Sequence, residues 1–326
     1  MARSGTAAGS ELRRLGWLAL LLGVWLGLQV WSCTARAREP SIRSYGPISV
    51  GRPNAGFLIN GQRMPRGKDW VLTVPAHTYA TSETIEQLTH CFQRVRAELP
   101  GAPKVRLGSL SAKGGGKIAP HDSHRTGRDA DVYFFRQPGA RWDTAATEQD
   151  IDLPLTWALL RCWLTDTDVD FVLIDTAVQG WLESYASSLG EPSAWLRQLF
   201  HDVPPNSNGR GSRALVRHAP GHVAHMHVRF VSPKARRLGV QLYDRLVREG
   251  FVKSPRAGQR HRVARGDTLS HIARRYHVSV QALQKQNGLR GTRIRPGQSL
   301  IIVVPVPVPG AKDAVQLPAR RLPPRS

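Results

Sequence analysis

Apolar residues at Ile85, Leu88, Phe92, Val95 and Leu99 recur at intervals of three and four, the spacing of one helical face. Ser82 can cap that helix, Glu83 and Glu86 suit its first turn, and Pro100 ends it. A second helix is predicted over Leu155–Leu164, and further helices over 178–189 and 235–248. Between them "VDFVLID" at 169–175 is short, apolar and β-branched, the pattern of a buried strand. Residues 38–250 therefore read as one α+β domain, and "PPNSNGRGS" at 204–212 reads as a flexible loop within it.

Two stretches alternate with period two. In "AHMHVRF" the residues Met226, Val228 and Phe230 should face the core, leaving His225, His227 and Arg229 together on the other face. In "RDADVYFF" the same rule buries Ala130, Val132 and Phe134 and turns Asp129, Asp131 and Tyr133 outward. Six of the twelve histidines lie in or beside these stretches: His121 and His124, then His218, His222, His225 and His227. Two strands with apolar backs and ligand-type fronts form a floor for a site, and His124 would reach over from the loop before the first strand. The opposing reading is a polar surface loop and a pair of ordinary strand histidines.

Imidazole nitrogen and carboxylate oxygen are the ligands zinc takes in catalytic sites, where three protein groups leave one position open. Magnesium or calcium would prefer oxygen ligands throughout. A His/Asp/His set built from these windows therefore predicts one zinc ion. Asp129 reads either as an acceptor that orients an imidazole or as a solvated acid.

The chain has 326 residues, enough for about two domains. Its formal charge of +22 predicts an anionic partner. Arg13 and Arg14 precede the uncharged stretch "LGWLALLLGVWLGLQVW", and Ala35-Arg36-Ala37 offers a cleavage site, so residues 1–37 read as a secretory signal. An uncleaved anchor or a lipid on Cys33 would be the only membrane contact. An exported protein, bound for the periplasm or cell envelope, should meet an anionic wall polymer rather than nucleic acid. Cleavage would leave Cys91 and Cys162, either paired or as two free thiols.

Together, "HDSHRTGRDADV" and "HVAHMHVRF" resemble the penicillin-insensitive murein endopeptidases, a branch of the LAS-type zinc peptidases. The likeness spans residues 41–232 and takes in "SIRSYGPISVGRPNAGFLINGQRMP". It implies a small antiparallel sheet flanked by helices. It implies that His124, Asp131 and His227 bind zinc, that His121 also touches the metal, and that Gly127 makes the turn into the strand. His225 would be catalytic, with His222 its neighbour and alternate. The related D-Ala-D-Ala peptidases place a glutamate before the last histidine; "RHAPGHVAHMH" has none. Residues 140–165 offer no match for further metal ligands. The substrate implied is the peptide cross-link of peptidoglycan, between D-alanine and a diamino acid.

After "SPRAGQR", read as a linker over 251–260, residues 261–304 resemble a LysM module of order βααβ. That likeness implies a groove for N-acetylglucosamine glycan, lined or shaped by Asp267, Thr268, Leu269, Asn287, Ile294 and Pro296. The remainder, 305–326, is too rich in proline for a core and reads as extended or disordered. Two competing functions remain: a D,D-carboxypeptidase of the same zinc group, and a wall-binding protein without catalysis.

Overall fold

The protein is described by a computed structural model over residues 39–202, 212–317 and 322–323. The N-terminal segment read as a secretory signal, Cys33 included, lies outside the described residues, as does most of the loop at 204–212. No helix among the described residues is long and apolar enough to cross a membrane.

The architecture is α+β. Twelve strands are described: β1 (Ile48–Val50), β2 (Phe57–Ile59), β3 (Gln62–Arg63), β4 (Trp70–Leu72), β5 (Tyr79–Ala80), β6 (Val105–Leu107), β7 (Asp129–Tyr133), β8 (Val169–Ile174), β9 (Val216–His218), β10 (His225–Phe230), β11 (Arg256–Arg262) and β12 (Ser299–Pro305). The helices are α1 (Ser82–Glu98), α2 (Leu153–Asp166), α3 (Thr176–Ser188), α4 (Ser193–Phe200), α5 (Pro233–Arg248), α6 (Leu269–Arg275) and α7 (Val280–Gln286). Strands β4-β6-β7-β10-β8-β9 form one six-stranded sheet. Its centre, β7-β10-β8, is antiparallel, as are β6 and β7; the outer pairs β4-β6 and β8-β9 are parallel. The sheet is thus mixed at its edges, where short strands return after helical crossovers.

Periodicity located the helices well. The face of α1 that carries Ile85, Leu88, Cys91, Phe92 and Val95 is buried in the main core. Leu99, expected on that face, is the C-cap and is 36% exposed. The N-cap is Thr81 rather than Ser82, because Thr81 Oγ1 accepts from Thr84 N at 3.1 Å while Ser82 Oγ turns away to Gln62. Helix α2 starts two residues before its expected position, capped by Asp152, whose Oδ1 accepts from Leu155 N. The alternation also holds: Ala130, Val132, Phe134, Met226, Val228 and Phe230 are all buried. The short strands are too brief to show a period; helix α4 buries Trp195, Leu196, Leu199 and Phe200 at helical spacing, and sequence reading missed it as well.

Cys91 on α1 and Cys162 on α2 form a disulfide across 71 residues of chain. Both lie in the main core. The pairing was open from sequence, since spacing does not say which helices pack.

A second, smaller core unites Val263, Leu269, Ile272, Leu283, Leu300 and Ile302. Around it β11, α6, α7 and β12 take the order βααβ, and β11 pairs antiparallel with β12 from Arg256↔Pro305 to Arg262↔Ser299. The second half of the stretch read as a linker, 256–260, therefore lies in a strand. Its own residues are exposed apart from His261, so β12, not local apolar pattern, makes it one.

The proline-rich tail also departs from expectation. Residues 306–313 run against α5 and the turn after β1. Val308 and Ala311 are each 1% exposed. Val308 N donates to Tyr243 Oη at 2.8 Å, Arg52 N donates to Pro309 O at 2.8 Å, and Lys312 pairs with Asp244 at 2.8 Å. A Cβ on Gly51 would lie 2.7 Å from Val308 Cγ1, so this approach needs glycine. Residues 309–312 form turns, with Ala311 N donating to Val308 O at 2.9 Å, so the segment packs without joining a helix or sheet.

Candidate metal centre

The strand pair β7-β10 builds the site. Its register places His227 opposite Asp131, His225 opposite Tyr133 and Arg229 opposite Asp129. Both strands send these side chains to one face, with the core on the other. The loop before β7 then brings two more imidazoles over Asp131.

His124 stands in a left-handed backbone conformation, with φ of 63°. Three bonds hold it there: its N donates to Asp129 Oδ2 at 2.9 Å, its Nδ1 lies 2.7 Å from Leu110 O, and its carbonyl accepts from Ser111 Oγ. Gly127, at φ 73°, makes the turn into β7, and a Cβ there would lie 2.8 Å from Leu58 Cδ1. His124 is fully buried, yet its Nε2 has no hydrogen-bond partner. That atom lies 3.2 Å from Asp131 Oδ1. His227 Nδ1 lies 3.1 Å from the same oxygen, His121 Nδ1 is 3.6 Å from Oδ2, and His225 Nε2 is 3.8 Å from Oδ1.

Asp129 sits behind this set rather than in it. It is wholly buried and accepts from Arg229 Nε at 2.5 Å as well as from His124 N. His227 Nε2 is 3.3 Å from its Oδ1, but Nε2 is also without a hydrogen bond. The two nitrogens of His227 thus face two carboxylates, one in front and one behind. This is how an outer carboxylate orients a metal-binding imidazole.

Electrostatics agree with the geometry. Burial opposes charge on Asp131, but His124 and His227 outweigh it and hold the carboxyl well below the usual range. Burial likewise opposes charge on Asp129, and Arg229 and His227 overcome it. Burial works against a charge on His227, yet Asp129 and Asp131 raise it to about 9. The site therefore attracts a cation, which a proton on His227 satisfies in part. His225 is the opposite case: burial lowers it to about 4 despite Asp131. Burial also lowers His121 and His222.

His121, His124 and Asp131 offer ligand atoms within 4.8 Å of one another. With His227 opposite Asp131, and with the buried Nε2 of His124 unpaired, the donor set fits a metal ion with nitrogen and oxygen ligands. A second cluster, His90 with Cys91 and Cys162, does not fit, because its sulfurs are joined to each other. His121, His124, His222, His225 and His227 all line an open cleft of 780 Å³, together with Arg52, Phe171 and Arg229. His222 and His225 have ring centroids 5.0 Å apart. His218 is elsewhere: its Nδ1 bonds Thr176 Oγ1 at 2.8 Å, and it lines a separate cavity.

In the smaller domain five of the six expected groove residues have structural duties. Leu269 is core, and Ile294 packs against that core. Thr268 caps α6. Asn287 clamps α7 to β12, donating to Ile301 O at 2.8 Å and accepting from Ile301 N. Asp267 accepts from Ala264 N and meets His261 Nε2 at 3.1 Å. Pro296 is exposed beside the turn before β12.

A buried carboxylate ringed by imidazoles at the floor of an open cleft suits a metal ion with a position left for a further ligand. Comparison with known families makes the class specific. The family described as penicillin-insensitive murein endopeptidase matches residues 49–156, and the LysM domain matches residues 261–303. The chain is thus similar to the murein endopeptidase family over about a third of its length and, further on, to the LysM domain. The first match includes His121, His124 and Asp131 and ends before β10. Two curated proteins, membrane-bound lytic murein transglycosylase D from two strains of Escherichia coli, are each 58% identical over 40 residues. That is 12% of this chain and 9% of theirs, so the chain spans less than a tenth of their length.

Proposed function

We propose that this chain is a zinc-dependent endopeptidase that hydrolyses the D-alanyl–diamino acid cross-link of peptidoglycan, held at the wall by its LysM module. The observation that carries this reading is the buried, unpaired Nε2 of His124 facing Asp131 and His227 on the cleft floor.

His124, Asp131 and His227 would hold the ion, with His121 beside them. A bound zinc supplies a Lewis acid for the scissile carbonyl and an activated water at neutral pH. The chain's own groups do the rest. His225, neutral because burial lowers it to about 4, accepts a proton from the attacking water and returns it to the leaving amine. His222, one ring away, is the alternate proton carrier. Leu110 O fixes the His124 ring through Nδ1, and Asp129 sets His227 from behind.

Export to the periplasm through residues 1–37 accords with a wall substrate and with the Cys91–Cys162 disulfide, a bond of oxidising compartments. In the LysM module, Asp267, Thr268 and Pro296 would meet glycan, while Leu269, Asn287 and Ile294 shape the surface that carries them. Tethering to glycan raises the local concentration of cross-links at the cleft.

The test is digestion of purified sacculi by the full chain, with and without a chelator and with zinc restored, and products identified by mass. Conversion of cross-linked dimers to monomers, abolished by chelation and by His227→Ala, is expected. The same variant should lose zinc yet still sediment with sacculi. Release of free D-alanine without loss of dimers would support a carboxypeptidase instead, and an active His227→Ala would remove the site assignment.

A further inference from the structure

A second cavity, of 470 Å³, is lined by Tyr133 together with Lys104, Arg106 and Trp142. Tyr133 is two residues past Asp131 on β7 and therefore shares its face. It stands opposite His225, with ring centroids 5.8 Å apart. Its ring also meets Trp142 edge-on at 4.6 Å. The Arg106 guanidinium lies over Trp142, 5.1 Å from the ring centre. Lys104 lines the same cavity one alternation earlier, while Val105 and Leu107 turn into the core.

The charges here are unequal. Arg136, at the cavity edge, is paired with Asp150, and Arg141 pairs with Asp143 at 3.0 Å. Among the described residues neither Arg106 nor Lys104 has an acidic partner. Stacking on Trp142 holds the guanidinium and leaves its N–H groups available. Two unmatched cations and an aromatic wall, one side chain from the metal centre, suit a carboxylate borne on a short aliphatic chain. The planar guanidinium can take that carboxylate through two parallel hydrogen bonds.

We propose that this cavity is a subsite for the acidic part of a stem peptide, with Arg106 binding its free carboxylate and Trp142 and Tyr133 packing its aliphatic stretch. The proposal rests on the peptidoglycan reading above and adds a basis for choosing among stems: those with free carboxylates are preferred over amidated ones.

The experiment uses the full chain loaded with zinc and two synthetic cross-linked stem-peptide dimers, one with free glutamate carboxylates and one with them amidated. Binding of the corresponding uncrosslinked peptides is followed separately by tryptophan fluorescence. The wild type should favour the acidic dimer by about tenfold in kcat/KM, through KM, as expected for one oriented guanidinium–carboxylate pair. Arg106→Gln should erase the preference with kcat little changed, and Arg106→Lys should restore part of it. Acidic peptide should bind the wild type more tightly than amidated peptide, with no difference in Arg106→Gln. Equal KM and equal binding of the two forms by the wild type would overturn the subsite, as would Arg106→Gln impairing both dimers alike. If neither dimer is cut but acidic peptide still binds through Arg106, the endopeptidase reading falls and the subsite stands.

Discussion

Replacing Asp129 by asparagine tests whether the carboxylate behind the site governs metal binding. The change keeps shape and removes charge. In the native protein Asp129 accepts from Arg229 Nε at 2.5 Å and from His124 N at 2.9 Å, one donor to each oxygen, and lies 3.3 Å from His227 Nε2. Asparagine has one acceptor oxygen, so its NH2 must point at one of those donors. One charge-assisted bond is lost at about 1.5–3 kcal/mol. The Arg229 charge, with its side chain 16% exposed, then lacks its counter-ion. Two outcomes should separate. Folding stability should fall by about that energy, and zinc affinity by about 10–100-fold, the usual effect of losing an outer-sphere carboxylate.

The affinity is measured by competition with a chromophoric chelator, and the stability by urea unfolding of the metal-free protein. Neither readout depends on turnover. Arg229→Gln is the matched control. It relieves the same ion pair but leaves a carboxylate behind His227, so it should reduce stability more than affinity. Wild-type zinc affinity in folded Asp129→Asn would refute the claim that Asp129 sets the imidazole.

Two further outcomes concern the scaffold. The Cys91–Cys162 bond closes 71 residues of chain, so Cys91→Ser with Cys162→Ser should cost about 4 kcal/mol by the loop-entropy relation; an unchanged urea midpoint would contradict it. Val308→Asp puts a carboxylate where the native side chain is 1% exposed, forfeiting about 1.5–3 kcal/mol of apolar burial. The tail should detach, and the Arg52 amide, which donates to Pro309 O, should exchange with deuterium markedly faster; unchanged protection there would show that the tail does not hold that turn.

Much of the site was legible because strand geometry is local. A period of two suffices to put His225 and His227 on one side of their strand, and Asp131 and Tyr133 on one side of theirs. What alternation cannot supply is which strand lies beside which, and in what register. Asp129 shows the difference. From sequence it was either an orienting acceptor or a solvated acid, and only the pairing with Arg229 and the return of the His124 amide decide for the first. Trp142 and Arg106 gave no signal, since one sits in an irregular loop and the other on a strand of three residues. The tail misled because proline content argues against a core of its own, not against lying on another.

The local set still needs something to fix it, because a slip of one residue between β7 and β10 would carry every ligand to the core face. The N-terminus of α1 supplies this at one end of the pair, where β7 begins beside the end of β10. Thr81 N donates to Gly127 O at 2.9 Å, holding the turn that leads into β7. Thr81 Oγ1 also meets Ser232 Oγ at 2.9 Å, and Thr84 Oγ1 meets it at 3.0 Å, just beyond the end of β10. Glu83 then accepts from Lys234 N and Ala235 N, both at 2.9 Å, closing the N-terminus of α5, which lacks a side-chain cap of its own. A carboxylate placed against a helix N-terminus is favourable in charge as well as in hydrogen bonding. The entry to one ligand strand and the exit from the other are therefore tied to three residues, Thr81, Glu83 and Thr84, on a single helix end. Register at the centre follows from these anchors, and so does the meeting of Asp131 with His227.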